Sequence, residues 1–197
     1  MGHKNREIEA KMLAIGVKGL HTMIDRISTV VATIQKDADV IIGNATDLYW
    51  AAPVPDLADF VRLRKNAGGA QLTMKGTDKG DNIDRVEIDL EVDDYKQAKE
   101  LMVALHGEPM AAVTKKYRVF FLENHDTNIS VYQVKDDDRV FVEIEARNRR
   151  RLRQLISLVL SHSETEYLWV KSSIYNIFVQ KTEMAAESTA LLLGSLE

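Results

Sequence analysis

The apolar residues of this chain recur with two different periods. Near the start, EIEAK alternates: as an extended segment it puts Ile8 and Ala10 on one face and Glu7, Glu9 and Lys11 on the other. Leu20, Met23, Ile24, Ile27, Val31 and Ile34 follow at three- and four-residue intervals, which predicts a helix whose start is blurred by Gly16 and Gly19. DADVIIGNAT reads as a loop with a short extended piece, and TDLYWAAP as a strand that Pro53 stops. FVRLRKNAGGAQLTMKG predicts a hairpin that turns at its glycines, where positive φ is cheap. Beyond the polar loop GTDKGDN comes the cleanest alternation, RVEIDLEV. It sets Val86, Ile88, Leu90 and Val92 against Arg85, Glu87, Asp89 and Glu91.

DDYKQAKELMVALHG predicts a helix capped by Asp93 or Asp94 and ended by Gly107, with Ala98, Leu101, Met102 and Leu105 inward. KKYRVFFL and NISVYQV form a second hairpin around ENHDT, and DDDR turns into the strand VFVEIEA. A further helix turns Leu152, Leu155, Ile156, Val159 and Leu160 inward, and SSIYNIFVQ and a short terminal helix close the chain. No solenoid-length repeat is present.

The strands share one feature. Their polar positions carry Glu7, Glu9 and Lys11; Arg62 and Arg64; Lys75; Arg85, Glu87 and Asp89; Lys116 and Arg118; Glu143 and Glu145. On any one strand this is the pattern of an antiparallel sheet with a solvated face. As a set it differs from such a face, which mixes in Thr, Ser and Gln, whereas these positions are almost all ionic. If the apolar faces all turn outward against helices, the charges line the inside of a closed sheet. Uncompensated cations there would be costly. A polyanion with a divalent metal balances the signs: Lys and Arg meet phosphate oxygens, and carboxylates hold Mg2+ or Mn2+.

Composition narrows the classes. The chain has 197 residues, 45% hydrophobic and 28% charged, with a formal charge of −4, as expected of a globular domain rather than a nucleic-acid magnet or an acidic disordered tail. With no cysteine there are no disulfides, thiolate metal sites or thiol nucleophiles, which fits a cytoplasmic location. No apolar run approaches the ~20 residues of a membrane helix. The histidines lack zinc-ligand spacing, and no P-loop or Gly-x-Gly-x-x-Gly is present. RNRRRLR reads as the solvated face of a helix, so nucleic acid is not an expected partner. Asp136, Asp137 and Asp138 read as a turn, and Trp50 and Trp169 as wall packing.

These segments resemble the CYTH superfamily, the triphosphate tunnel metalloenzymes. EIEAK matches its Glu-x-Glu-x-Lys signature, and RLR, TMKG, RVEID, KYR and EIE match its later motifs in order, over roughly residues 5 to 180. TDLYWAAP and SSIYNIF are similar to segments of the class IV adenylate cyclases. The resemblance implies an α+β fold: a closed eight-stranded antiparallel β-barrel, the triphosphate tunnel, with helices packed on the outside. It implies one domain over residues 1–182, followed by a helix or tail over 183–197 whose last residues, GSLE, are similar to an expression-vector scar.

It also implies roles. Lys11, Arg62, Arg64, Lys75, Arg85, Lys116 and Arg118 would bind phosphate. Glu7, Glu9, Glu143 and Glu145 would hold Mg2+ or Mn2+, assisted by Glu87 and Asp89, and with Lys11 would form the catalytic set. The reaction implied is ATP to cyclic AMP and pyrophosphate. The alternatives are a triphosphatase acting on tripolyphosphate, thiamine triphosphate or an RNA 5′ end, and a non-catalytic binder of a phosphorylated nucleotide. The expected partner is a small triphosphate, with no membrane, and a homodimer as in related cyclases. Two departures stand out. Tyr132 or Gln133 occupies a place where the family has Asp, and Asp89 stands where Glu is usual.

Overall fold

A computed structural model describes residues 7–52, 58–66, 68–76, 83–123 and 125–196; of Glu7 and Ala58 only the backbone is described. Pro53, most of GTDKGDN and the side chain of Glu7 therefore lie outside the described residues.

The strands are β1 (Glu7–Ile15), β2 (Asp39–Ala51), β3 (Ala58–Asn66), β4 (Gly69–Gly76), β5 (Asp84–Arg85), β6 (Glu87–Val92), β7 (Ala111–Leu122), β8 (Thr127–Val134), β9 (Val140–Glu145), β10 (Glu166–Val170) and β11 (Ala186–Ser188). The helices are α1 (Leu20–Ile34), α2 (Tyr95–His106), α3 (Arg149–His162) and α4 (Thr189–Ser195), with one π-helical turn over Tyr175–Val179. Among the described residues no helix is long and apolar enough to cross a membrane.

The fold is α+β with an antiparallel wall, as expected, but the wall has eleven strands rather than eight. Its hydrogen-bonded path runs β11-β10-β1-β9-β8-β7-β2-β3-β4-β6, with β5 off the path and paired to β1. One edge of β1 is shared: Glu7 and Ile8 pair with β5, and Met12 to Ile15 pair with β10. Only Val86 separates β5 from β6, so the chain itself carries the wall from β4 and β6 back to β1. The hydrogen-bonded sheet is therefore not closed as expected: among the described residues β6 does not pair with β1, and only two residue pairs of β5 meet it.

Alternation puts one face of each strand outside. The outer faces of β1, β8, β9 and β10 pack on α1, α3 and α4 through Met12, Ile129, Val131, Val142, Ile144 and Trp169 against Met23, Ile27, Leu152, Leu155, Ile156 and Leu192. Each such fully buried aliphatic side chain contributes about 1.5–3 kcal/mol. Asn148 caps α3 by accepting from Arg151 N, and Asp94 caps α2 by accepting from Lys96 N and Gln97 N. Residues 186–195 add β11 and α4, which buries Leu192.

Three local expectations are corrected. DADVIIGNAT is not a loop: it forms the first part of the 13-residue β2, laddered to β7 from Asp39↔Phe121 to Tyr49↔Ala111. The long ladder supplies the hydrogen bonds that local propensity did not signal. RVEIDLEV is broken at Val86, and its apolar face is uncovered, with Leu90 60% exposed. α2 instead covers β2, β3 and β4, turning Met102, Tyr95, Ala98 and Val103 toward Leu48, Trp50, Val61 and Leu63. Leu101 and Leu105, on the expected inner stripe, are 59% and 67% exposed.

Candidate active site

The inner faces of the strands enclose a cavity of about 460 Å3, within the range of small-ligand sites. Its lining changes in layers along the axis. At one end Leu13, Tyr49, Phe60, Val113, Tyr132 and Phe141 form a buried apolar floor, closed from beneath by Ile174, Tyr175 and Ile177. Tyr49 and Tyr175 lie on Phe60 with ring centroids 5.3 and 4.9 Å away. Above the floor comes an ionic layer, and above that an open mouth bordered by Ile41, Val119, Phe121, Asn128, Asn66, Gln71 and Glu145.

The ionic layer draws its charged side chains from eight strands. Asp47, fully buried, anchors one cluster: Arg64 donates to it through Nε at 2.7 Å and Nη2 at 2.9 Å, a two-pronged pair. Lys115 Nζ lies 3.8 Å from the same carboxylate and 4.9 Å from the Tyr132 ring centroid. Burial opposes charge on Asp47, but Arg64 and Lys115 outweigh it and hold the carboxyl well below the ordinary carboxylate range. Burial, then the neighbouring Arg64, push the Lys115 ammonium down to about 8 against the pull of Asp47.

A second cluster joins β1, β4, β5, β6 and β9. Glu9 meets Lys75 at 3.4 Å and Arg85 at 3.2 Å, and Lys75 also meets Glu87 at 3.4 Å. Lys11 pairs with Glu143 at 2.9 Å, and Tyr132 donates its hydroxyl to the same Glu143 oxygen at 2.9 Å. Burial would raise the Glu143 carboxyl, but Lys11 brings it below its usual value. Arg62 donates to Thr73 at 3.0 Å, and Thr73 donates on to Asp89 at 2.6 Å. Burial and Glu87 push the Asp89 carboxyl up. Arg62 Nε is buried with no hydrogen-bond partner among the described residues, a donor that suits an anion.

Of the expected phosphate ligands, Lys11, Arg62, Arg64, Lys75 and Arg85 all line the cavity. Lys116 and Arg118 do not: the inward positions of β7 are Lys115 and Tyr117, one residue out of phase, because Phe120 and Leu122 turn outward into the core. Asp47 and Lys115 were not anticipated. Tyr132, not Gln133, occupies the inner face where the family has Asp; Gln133 points away and donates to Asp137 O.

Of the expected metal ligands, Glu9, Glu87, Asp89, Glu143 and Glu145 line the cavity. Among the described residues no three acidic or histidine side chains converge into a preassembled metal site. The oxygen donors nevertheless fit a hard divalent ion: Glu9 and Glu145 face each other across the β1–β9 ladder, with Glu143 two positions along the same face. Glu9 already meets Lys75 and Arg85, and Glu145 accepts from Asn128 at 2.8 Å, so a divalent ion held between the two would exchange with these partners.

Three comparisons with known proteins bear on this cavity. The CYTH domain family profile matches residues 5–174. No curated protein matches the chain. Among solved structures, a Pyrococcus horikoshii protein is 22% identical over 80% of this chain and 89% of its own, with a TM-score of 0.59. A Hippeastrum protein, described as an adenylyl cyclase candidate with a dominant triphosphatase activity, is 14% identical over 90% of this chain and 97% of its own, with a TM-score of 0.64. A Vibrio parahaemolyticus adenylate cyclase candidate is 14% identical over 83% and 91%, at 0.62. At these identities the neighbours show the shared fold.

Proposed function

The chain belongs to the CYTH domain family, and we propose that its cavity is the active site of a Mg2+- or Mn2+-dependent enzyme that cyclises ATP to cyclic AMP and pyrophosphate. The observation that carries this reading is the charge balance of the ionic layer. Among the described residues the cations Lys11, Arg62, Arg64, Lys75, Arg85 and Lys115 face the carboxylates of Asp47, Asp59 and the lining acids Glu9, Glu87, Asp89, Glu143 and Glu145. A layer so balanced has little net attraction for an anion alone. Entering together, a triphosphate and its divalent ions can exchange with the existing pairs, lysines and arginines turning to phosphate oxygens and carboxylates to the metal.

Glu9, Glu143 and Glu145 would hold the divalent ion. When bound it neutralises phosphate charge and makes the attacking hydroxyl more acidic. The chain's own side chains then have defined tasks. Arg64, fixed by Asp47, presents a rigid fork; Arg62, Lys75 and Arg85 stabilise the negative charge that builds on the leaving pyrophosphate. The ribose 3′ oxygen forms its bond to the α-phosphorus, the bridging oxygen leaves with pyrophosphate, and the hydroxyl proton departs to solvent.

The floor favours cyclisation over hydrolysis. In this reading the organic end of a substrate lies toward the mouth and its terminal phosphate toward the floor. Tyr49, Tyr132 and Phe141 seal that end, which keeps bulk water from the terminal phosphorus while leaving the ribose hydroxyl free to attack. Incubation with ATP or tripolyphosphate and Mn2+ tests the reading: cyclic AMP from ATP is expected. Orthophosphate as the main product would establish a triphosphatase, and tight binding without product a binder.

A further inference from the structure

The carboxylates of β1 and β9 are not all held in the same way. Glu9 takes Lys75 and Arg85 on its Oε1, and Glu145 takes the amide of Asn128 on its Oε2. Glu143 takes Lys11 and the Tyr132 hydroxyl together on its Oε1. Most of these partners are free to leave. Lys11, Lys75 and Arg85 have phosphate oxygens to turn to in the reading above, and Asn128 stands at the mouth, where water can take its place.

Tyr132 cannot follow them. Its side chain is 1% exposed, and its ring is stacked on Phe141 at 5.4 Å with planes 16° apart. Lys115 Nζ lies 4.9 Å from the centroid of the same ring. The hydroxyl carries no charge to exchange for a phosphate contact, and leaving Glu143 would strand it as a buried donor. Oε1 of Glu143 therefore keeps this hydrogen bond when a ligand enters, and Oε2 is the oxygen that the residue has to give.

A carboxylate limited to one oxygen suits some divalent ions better than others. Ca2+ takes about six to eight oxygens and commonly grips a carboxylate through both. Mg2+ and Mn2+ are octahedral, take one oxygen from each carboxylate, and fill the remaining positions with phosphate oxygens and water. We infer that Tyr132 is a positioning residue that sets ion selectivity: by holding Glu143 to one-oxygen coordination it admits Mg2+ or Mn2+ and disfavours Ca2+. The inference rests on the metal and triphosphate reading of the cavity.

Displacement of Mn2+ from the full chain, saturated with a bis-methylene analogue of tripolyphosphate that cannot be hydrolysed, tests this without turnover. Electron paramagnetic resonance reads the Mn2+ released as Mg2+ or Ca2+ is added. The ratio of the two half-displacing concentrations is compared with the ratio for the analogue alone. Relative to that solution ratio, the unsubstituted protein should require at least about tenfold more Ca2+ than Mg2+, a comparison that needs no variant to fold. Tyr132→Phe frees Glu143 to bind through both oxygens, so Ca2+ should recover most of that factor while Mg2+ moves by less than about twofold. The double variant Tyr132→Phe/Glu143→Gln, which has no second carboxylate oxygen to offer, should lose the recovery. An unsubstituted protein with the ratio of the analogue alone overturns the inference. So does a Tyr132→Phe protein in which the affinities for both ions fall together or the ratio stays fixed, as a merely structural role would have it. Mn2+ held no more tightly by protein and analogue together than by the analogue alone overturns the metal and triphosphate reading itself, and this inference with it.

Discussion

Asp47 offers the sharpest test of how the ionic layer is held. Its carboxylate is fully buried and receives two short hydrogen bonds from Arg64, with Lys115 beside it and the Tyr49 hydroxyl at 3.4 Å. Asp47→Asn keeps the shape and removes the charge. Arg64 cannot shed its proton, so a cation is left without its counter-charge, and breaking a buried pair costs about 3–5 kcal/mol. The lower end applies, because Lys115 can deprotonate and Arg64 keeps some contact with the mouth. For a chain of this size, where each kcal/mol moves the midpoint by about 2–4 °C, that predicts a Tm about 6–12 °C lower at pH 7. The pH dependence has a definite sign. The folded-state pKa of Asp47 is depressed, so its stabilisation is complete above the unfolded value of about 3.9 and is lost as pH falls below it. The gap between the two proteins, followed by thermal melts, should therefore narrow below about pH 4. A variant that melts within about 2 °C of the original at pH 7 would refute the assignment of Asp47 as the anchor of Arg64 and Lys115.

Glu9→Gln should abolish Mn2+-dependent turnover; retained activity would remove Glu9 from the metal's coordination. Lys115 is a cation below about 8 and neutral above it, so triphosphate affinity should fall as pH rises through that value, and Lys115→Met should flatten the step; an unsubstituted protein with no change between pH 7 and 9 would contradict this. Tyr132→Phe removes a buried hydrogen bond to a charged acceptor, which predicts a loss of about 1.5–3 kcal/mol in a denaturant melt, and an unchanged midpoint would show that Glu143 does not depend on it.

Much of this site was readable because strand alternation has a strict period of two. In the segments EIEAK of β1, VRLR of β3, EIDLE of β6 and VEIE of β9 every second residue is ionic, which sets the parity of Glu9, Lys11, Arg62, Arg64, Glu87, Glu143 and Glu145. β7 was ambiguous because KKYR carries bases in both parities and FF follows. The choice was made by tertiary packing of Phe120 and Leu122, which local pattern cannot see. Asp47 escaped notice as the one acid of the segment TDLYWA, and its partners lie on β3 and β7, far along the chain. The first half of β2 looked like a loop because Val40, Ile41 and Ile42 break alternation; one reason for that break is the apolar wall of the mouth. On α2 a continuous apolar stripe was readable, but which part of it would be covered depended on where the sheet lay.

The account stands on metal and triphosphate entering a self-neutralised ionic layer together. Calorimetric titration of tripolyphosphate, once with Mn2+ and once with a chelator, tests this most directly. One equivalent should bind with Mn2+ and at least about tenfold more weakly without it. Equal affinity under both conditions, or no binding under either, would contradict the account.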